Sequence, residues 1–76
     1  MTEKVTQPIV KMYKFQDFIG AMGFVQKVAL ISEKMDHHPN ISIKYSEVTL
    51  ETYTHTTGTV TEKDHQLIAA IEKILE

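Results

Sequence analysis

The chain has 76 residues, no cysteine and a formal charge of −2 with its lysines and acids interspersed. One small domain fits this length, disulfides and thiolate zinc sites are excluded, and no basic footprint for nucleic acid exists. The sequence carries no apolar signal segment and no run near the about 20 residues that span a bilayer, so the expectation is a cytoplasmic protein without direct nucleic-acid or membrane partners.

Taken in chain order, Glu3 to Thr6 reads as a short strand, Pro8 as a turn, and Ile9 to Lys14 as a second strand. In the second strand Val10, Met12 and Lys14 alternate with Ile9, Lys11, Tyr13 and Phe15. From Gln16 to about Met35 the periodicity becomes helical. One apolar stripe is Phe18, Met22, Val25 and Ala29; a second is Ala21, Phe24, Val28, Ile31 and Met35. A helix lying on one face of a small sheet needs a single stripe, so the second predicts a partner chain packed on this helix. The alternative is deeper burial within one subunit.

Pro39 ends the helix and biases His38 to an extended backbone. Ile41, Ile43 and Tyr45 alternate with polar residues as a third strand, with Tyr45 expected in the core or on a sheet face. After a tight connection near Ser46 and Glu47, a fourth strand is predicted to run to His55. In it Val48, Leu50, Thr52 and Thr54 face one side, and Thr49, Glu51, Tyr53 and His55 the other. Thr61 and Asp64 form a capping box for a last helix whose buried face is Leu67, Ile68, Ile71, Ile74 and Leu75. The expected fold is α+β: a four-stranded antiparallel sheet with two helices on one face, in the order β-β-α-β-β-α.

Three of four histidines sit at the ends of elements, where a rigid scaffold can present them to a ligand: His37, His38 and His55. Imidazole exchanges protons near neutral pH without extreme tuning. Glu33, Asp36 and Thr54 are their sequence neighbours. Each has a plainer reading: adjacent loop histidines are often only solvated, and Asp64 is explained by its cap. Three histidines and an acid could hold zinc, but the side chains of neighbouring His37 and His38 diverge and no His-x-x-x-His pair exists, so no metal is expected. A nucleophilic mechanism has neither a cysteine nor a Gly-x-Ser-x-Gly elbow to use.

The run Glu33-Lys34-Met35-Asp36-His37-His38-Pro39 resembles the signature of the pterin-4a-carbinolamine dehydratases. Tyr45, Val48, Thr54-His55, Gly58 and Thr61 to Asp64 continue the likeness, and Tyr13 to Phe18 with Ala21, Phe24, Val28 and Ala29 precede it. The resemblance spans about Ile9 to Ile74. It implies dehydration of 4a-hydroxytetrahydropterin to quinonoid dihydropterin, in the recycling of tetrahydrobiopterin, without metal or organic cofactor. It also implies a homodimer or homotetramer through the central helix.

By the same resemblance His37, His38 and His55 are the catalytic residues lining the pterin site; the expectation set on it is that His37 and His55 exchange protons and His38 orients the substrate. Glu33, Asp36, Pro39, Thr54 and Thr56 would contact it or fix tautomers, and Asp64 would stand behind them. Family members usually begin with a further helix and a tryptophan; this sequence starts near the first strand and has no tryptophan, and Ile41 stands at a second, often aromatic, position. The competing function is a non-catalytic dimerisation module, like the coactivator relatives of the family, with Phe24 or Val28 on its binding surface. A weaker alternative is a molybdopterin or folate-like carbinolamine substrate.

Overall fold

The computed structural model describes residues 7–75. The elements are β1 (Ile9–Lys14), α1 (Phe18–Met35), β2 (Asn40–Lys44), β3 (Glu47–Thr52) and α2 (Glu62–Ile74). Among the described residues the sheet has three strands, with β3 in the centre and antiparallel to both neighbours. The predicted strand from Glu3 to Thr6 lies outside the described residues.

β3 is central because its composition suits two paired edges and one buried face. Val48, Leu50 and Thr52 are buried, while Glu47, Thr49 and Glu51 between them are half-buried. Register places Tyr13 and Ile43 on either side of Val48, and Lys11 and Ile41 on either side of Leu50. The opposite face carries Val10 and Met12, both exposed. The alternation predicted for β1 and β3 therefore holds.

α1 starts two residues later than the periodicity indicates. Asp17 is its N-cap, with an extended backbone and a carboxylate that accepts from Gly20 N at 2.8 Å. A side chain at Gly20 would place its Cβ 3.2 Å from the Asp17 carboxylate, crowding that cap. Of the predicted stripes, the one with Ala21, Phe24 and Val28 is the buried one, with Ser32 beside it buried too and its Ile31 and Met35 only half-buried. Phe24 tilts against the rings of Tyr13 and Phe15, with centroids 5.1 and 4.9 Å away. These residues join Val48, Leu50, Leu67 and Ile71 in the core. Each such side chain contributes about 1.5–3 kcal/mol relative to exposure. Phe18, on the other stripe, and Ile19 and Leu30 beside it remain exposed.

Three local expectations need correction. Tyr45 is neither a core nor a sheet-face residue: it sits in the two-residue turn between β2 and β3, at φ 56°, and is exposed. The last strand ends at Thr52 rather than His55, because the backbone turns back on itself. Thr54 N donates to Thr59 O, and Gly58, at φ 71°, closes the turn by donating to Thr54 O. In α2, Leu67, Ile68 and Ile71 are buried as expected, but Leu75 at the C-cap is exposed.

Candidate functional site

The end of α1 delivers two histidines. Asp36 is the C-cap in the left-handed region, at φ 54°, a conformation that aspartate tolerates better than most residues. His37 N then donates to Ser32 O at 3.1 Å, which fixes the chain as it leaves the helix. Pro39 biases His38 before it to an extended backbone, just ahead of β2. The turn after β3 brings His55 to the same place. Asp36, His37, His38, Tyr53, Thr54, His55, Thr56 and Lys63 line one cavity of about 430 Å³.

Of the residues proposed from sequence, six meet at this cavity: Asp36, His37, His38, Thr54, His55 and Thr56. Glu33 and Pro39 do not line it. Glu33 acts one step away, with Oε2 accepting from His38 Nε2 at 2.8 Å in an exposed pair. Tyr53 and Lys63 are additions. Tyr53 supplies an aromatic wall and packs its ring 4.5 Å from that of His55. Its position beside His55 in the alternating pattern was the available signal, because residues 53 and 55 share a face of an extended chain.

Asp64 is the centre of the polar network. Its capping box with Thr61 is present, as predicted. It also does what a surface cap does not: it is wholly buried and receives four donors. His37 Nε2 and Thr52 Oγ1 each lie 2.6 Å from Oδ1. Thr54 Oγ1 and Thr61 N donate to Oδ2 at 2.8 and 2.9 Å. Burial alone would raise the Asp64 pKa. The hydrogen bonds from Thr52, His37, the Thr61 backbone and Thr54 outweigh it and hold the carboxyl well below the usual carboxylate range.

An ionised carboxylate only accepts, so Nε2 of His37 must carry the hydrogen it shares with Asp64. In the neutral ring this leaves Nδ1 as the basic nitrogen. The Thr54 hydroxyl is also committed. It spends its hydrogen on Asp64, so the 2.6 Å contact with Thr61 Oγ1 requires Thr61 to donate. Thr54 therefore serves the network behind His37, and its hydroxyl has no hydrogen left for a ligand. Thr52 was read only as a strand residue, and nothing local marks it: its partner lies twelve residues on, across a helix start.

A positioned imidazole backed by a buried anion, with two further imidazoles at one cavity, can give and take protons at a bound heterocycle. The family model described as Pterin 4 alpha carbinolamine dehydratase matches residues 2–74. Relatives that carry the name pterin-4-alpha-carbinolamine dehydratase include one from Prochlorococcus marinus, 46% identical over 67 residues, which covers 88% of this chain and 70% of the relative. Another, from Sulfolobus acidocaldarius, is 45% identical over 64 residues and covers 84% of this chain and 70% of its own length. A crystal structure from Brucella melitensis, described as a transcriptional coactivator/pterin dehydratase, is 36% identical and superposes with a TM-score of 0.85 over 95% of this chain and 79% of that one. The chain belongs to the pterin-4-alpha-carbinolamine dehydratase family.

Proposed function

We propose that this protein dehydrates 4a-hydroxytetrahydropterin to quinonoid dihydropterin and water by histidine acid–base catalysis, as a step in tetrahydrobiopterin recycling. The observation that carries the reading is His37, held by a buried, four-donor Asp64 at a cavity shared with His38 and His55. Family membership supplies the substrate class.

The hydroxyl leaves as water, so it must gain a proton as the N5 lone pair expels it, and a ring proton must then be removed. Positioned acid–base groups contribute roughly 10²–10⁴-fold to such steps. His37, through Nδ1, and His55 exchange these protons, while His38, steadied by Glu33, orients the ring. Asp36 and Thr56 contact the pterin, and Tyr53 offers a face for it to stack on. Asp64 keeps the His37 tautomer and takes no proton itself.

The test is dehydration of freshly generated 4a-hydroxytetrahydropterin by wild type, His37→Ala and His55→Ala. Acceleration over the spontaneous rate, lost in both variants, supports the reading. A folded wild-type protein that gives no acceleration removes it.

A homo-oligomer joined through α1 is part of the same proposal, supported by the exposed Phe18, Ile19 and Leu30. The same surface favours the second reading, a binding module of the coactivator kind. Phe24 and Val28, the residues expected on that surface, are buried in the protein's own core and cannot serve it. Partner capture lost in Leu30→Lys but kept in His55→Ala would favour the module.

A further inference from the structure

Thr52 ends β3 on the helix-facing side and is 1% exposed. The two buried positions before it in the alternation are Val48 and Leu50. Packing alone would be met there by valine, which has nearly the shape of threonine without its hydroxyl. A buried hydroxyl is costly unless bonded, and this one has a single acceptor among the described residues, Asp64 Oδ1 at 2.6 Å. That oxygen is the one His37 Nε2 meets at 2.6 Å. The other oxygen is held by Thr54 and by the Thr61 backbone. Thr52 thus shares an acceptor with the histidine, while the cap and Thr54 hold the far side of the carboxylate.

We propose that Thr52 is a positioning residue for His37, acting through Asp64: its hydroxyl pins Oδ1, so that Nε2 stays the protonated nitrogen and Nδ1 is the atom that exchanges protons in the cavity. Two consequences follow from the geometry. With both oxygens occupied by two donors each, the carboxylate cannot turn, and the ring that leans on it cannot turn either. With Oδ1 already accepting from Thr52, Asp64 is a poor acceptor for the whole His37 proton, so that hydrogen stays on Nε2. The kinetic consequence rests on the dehydratase reading; the tautomer of His37 does not.

The experiment separates the two. Imidazole ¹⁵N shifts of His37 are recorded for the ligand-free protein at about pH 8.5, where imidazole is ordinarily neutral, alongside kcat and KM for dehydration. Wild type should show the Nε2–H form. Thr52→Val frees Oδ1 to turn away from the ring in part of the population, which then has nothing to hold the hydrogen on Nε2; it should show a mixture of tautomers, lower kcat about tenfold and change KM less than about twofold, the size expected for one hydrogen bond to a charged group. Thr52→Ser should restore both readings. A single Nε2–H form with wild-type kcat in Thr52→Val overturns the proposal, as does a Thr52→Ser variant as impaired as valine. Thr52→Ala is the second deletion, and unfolding of both deletions with serine intact would assign the hydroxyl to stability and also overturn it. If wild type lacks dehydratase activity, the function proposed above fails while the ¹⁵N spectra still decide the role of Thr52.

Discussion

The ring of His37 and the carboxylate of Asp64, 27 residues apart in the chain, meet at 2.6 Å with the carboxylate wholly buried. One residue caps the start of α2 and the other follows the end of α1, so the contact ties the helix termini together across the end of the sheet. It makes Asp64 a structural residue and, on the proposed function, the support of a catalytic one.

Asp64→Asn keeps the shape and removes the charge. Its amide nitrogen would face donors, leaving at least one buried group unpaired. The expected cost is about 2–3 kcal/mol in stability and about 10²-fold in kcat. Denaturant titration and dehydration assays on the same preparation check both, and a variant that loses stability alone would separate Asp64 from the chemistry.

Acid sensitivity should follow from the same carboxylate. The folded pKa is depressed, so between the folded and unfolded values the unfolded chain binds the extra proton. Stability from Asp64 is therefore fully present above the unfolded value, near about 4, and is lost as pH falls below it. Unfolding free energy measured from about pH 6 down to about pH 2 should drop more steeply in wild type than in Asp64→Asn.

Tyr13 should produce the opposite, alkaline, dependence. Burial pushes its phenol up, and the hydrogen bond to Glu72 at 2.9 Å and the Glu72 charge push it further, well above the usual phenol range. Its contribution is present below the unfolded value near about 10 and is lost as pH rises through the range above it. Tyr13→Phe should cost about 1 kcal/mol at neutral pH and flatten the alkaline loss, read by denaturant unfolding at about pH 7 and about pH 11.

The His38–Glu33 pair is exposed on both sides. Glu33→Gln should change stability by less than about 1 kcal/mol. If Glu33 steadies a substrate-orienting ring, KM should rise a few-fold with kcat little changed, and initial-rate kinetics would show the split.

The two apolar sides of α1 should respond differently. Phe24→Ala opens a core cavity and should destabilise by about 3–5 kcal/mol. Leu30→Lys, at a position 72% exposed, should leave stability nearly unchanged and shift sedimentation towards the monomer. Unaltered sedimentation of Leu30→Lys would remove this side of the helix from any self-contact.

Sequence alone determined what short-range physics governs. β1 and both helices follow from periods of two and 3.6, and the α2 capping box from Thr61 and Asp64 three residues apart, because those patterns are complete within one element. The histidine set was legible because element ends are marked by Pro39 and by the loss of alternation near Gly58. Tertiary structure alone decided the rest. The path of the chain after Thr52 depends on a turn closed by backbone hydrogen bonds, so His55 leaves the strand and Tyr45 occupies a turn. Which helical stripe is buried depends on what the sheet offers it. The convergence of Thr52, Thr54, Thr61 and His37 on Asp64 joins three segments of chain, and buried polar groups find such partners only after the core has packed, since until then water satisfies them equally well.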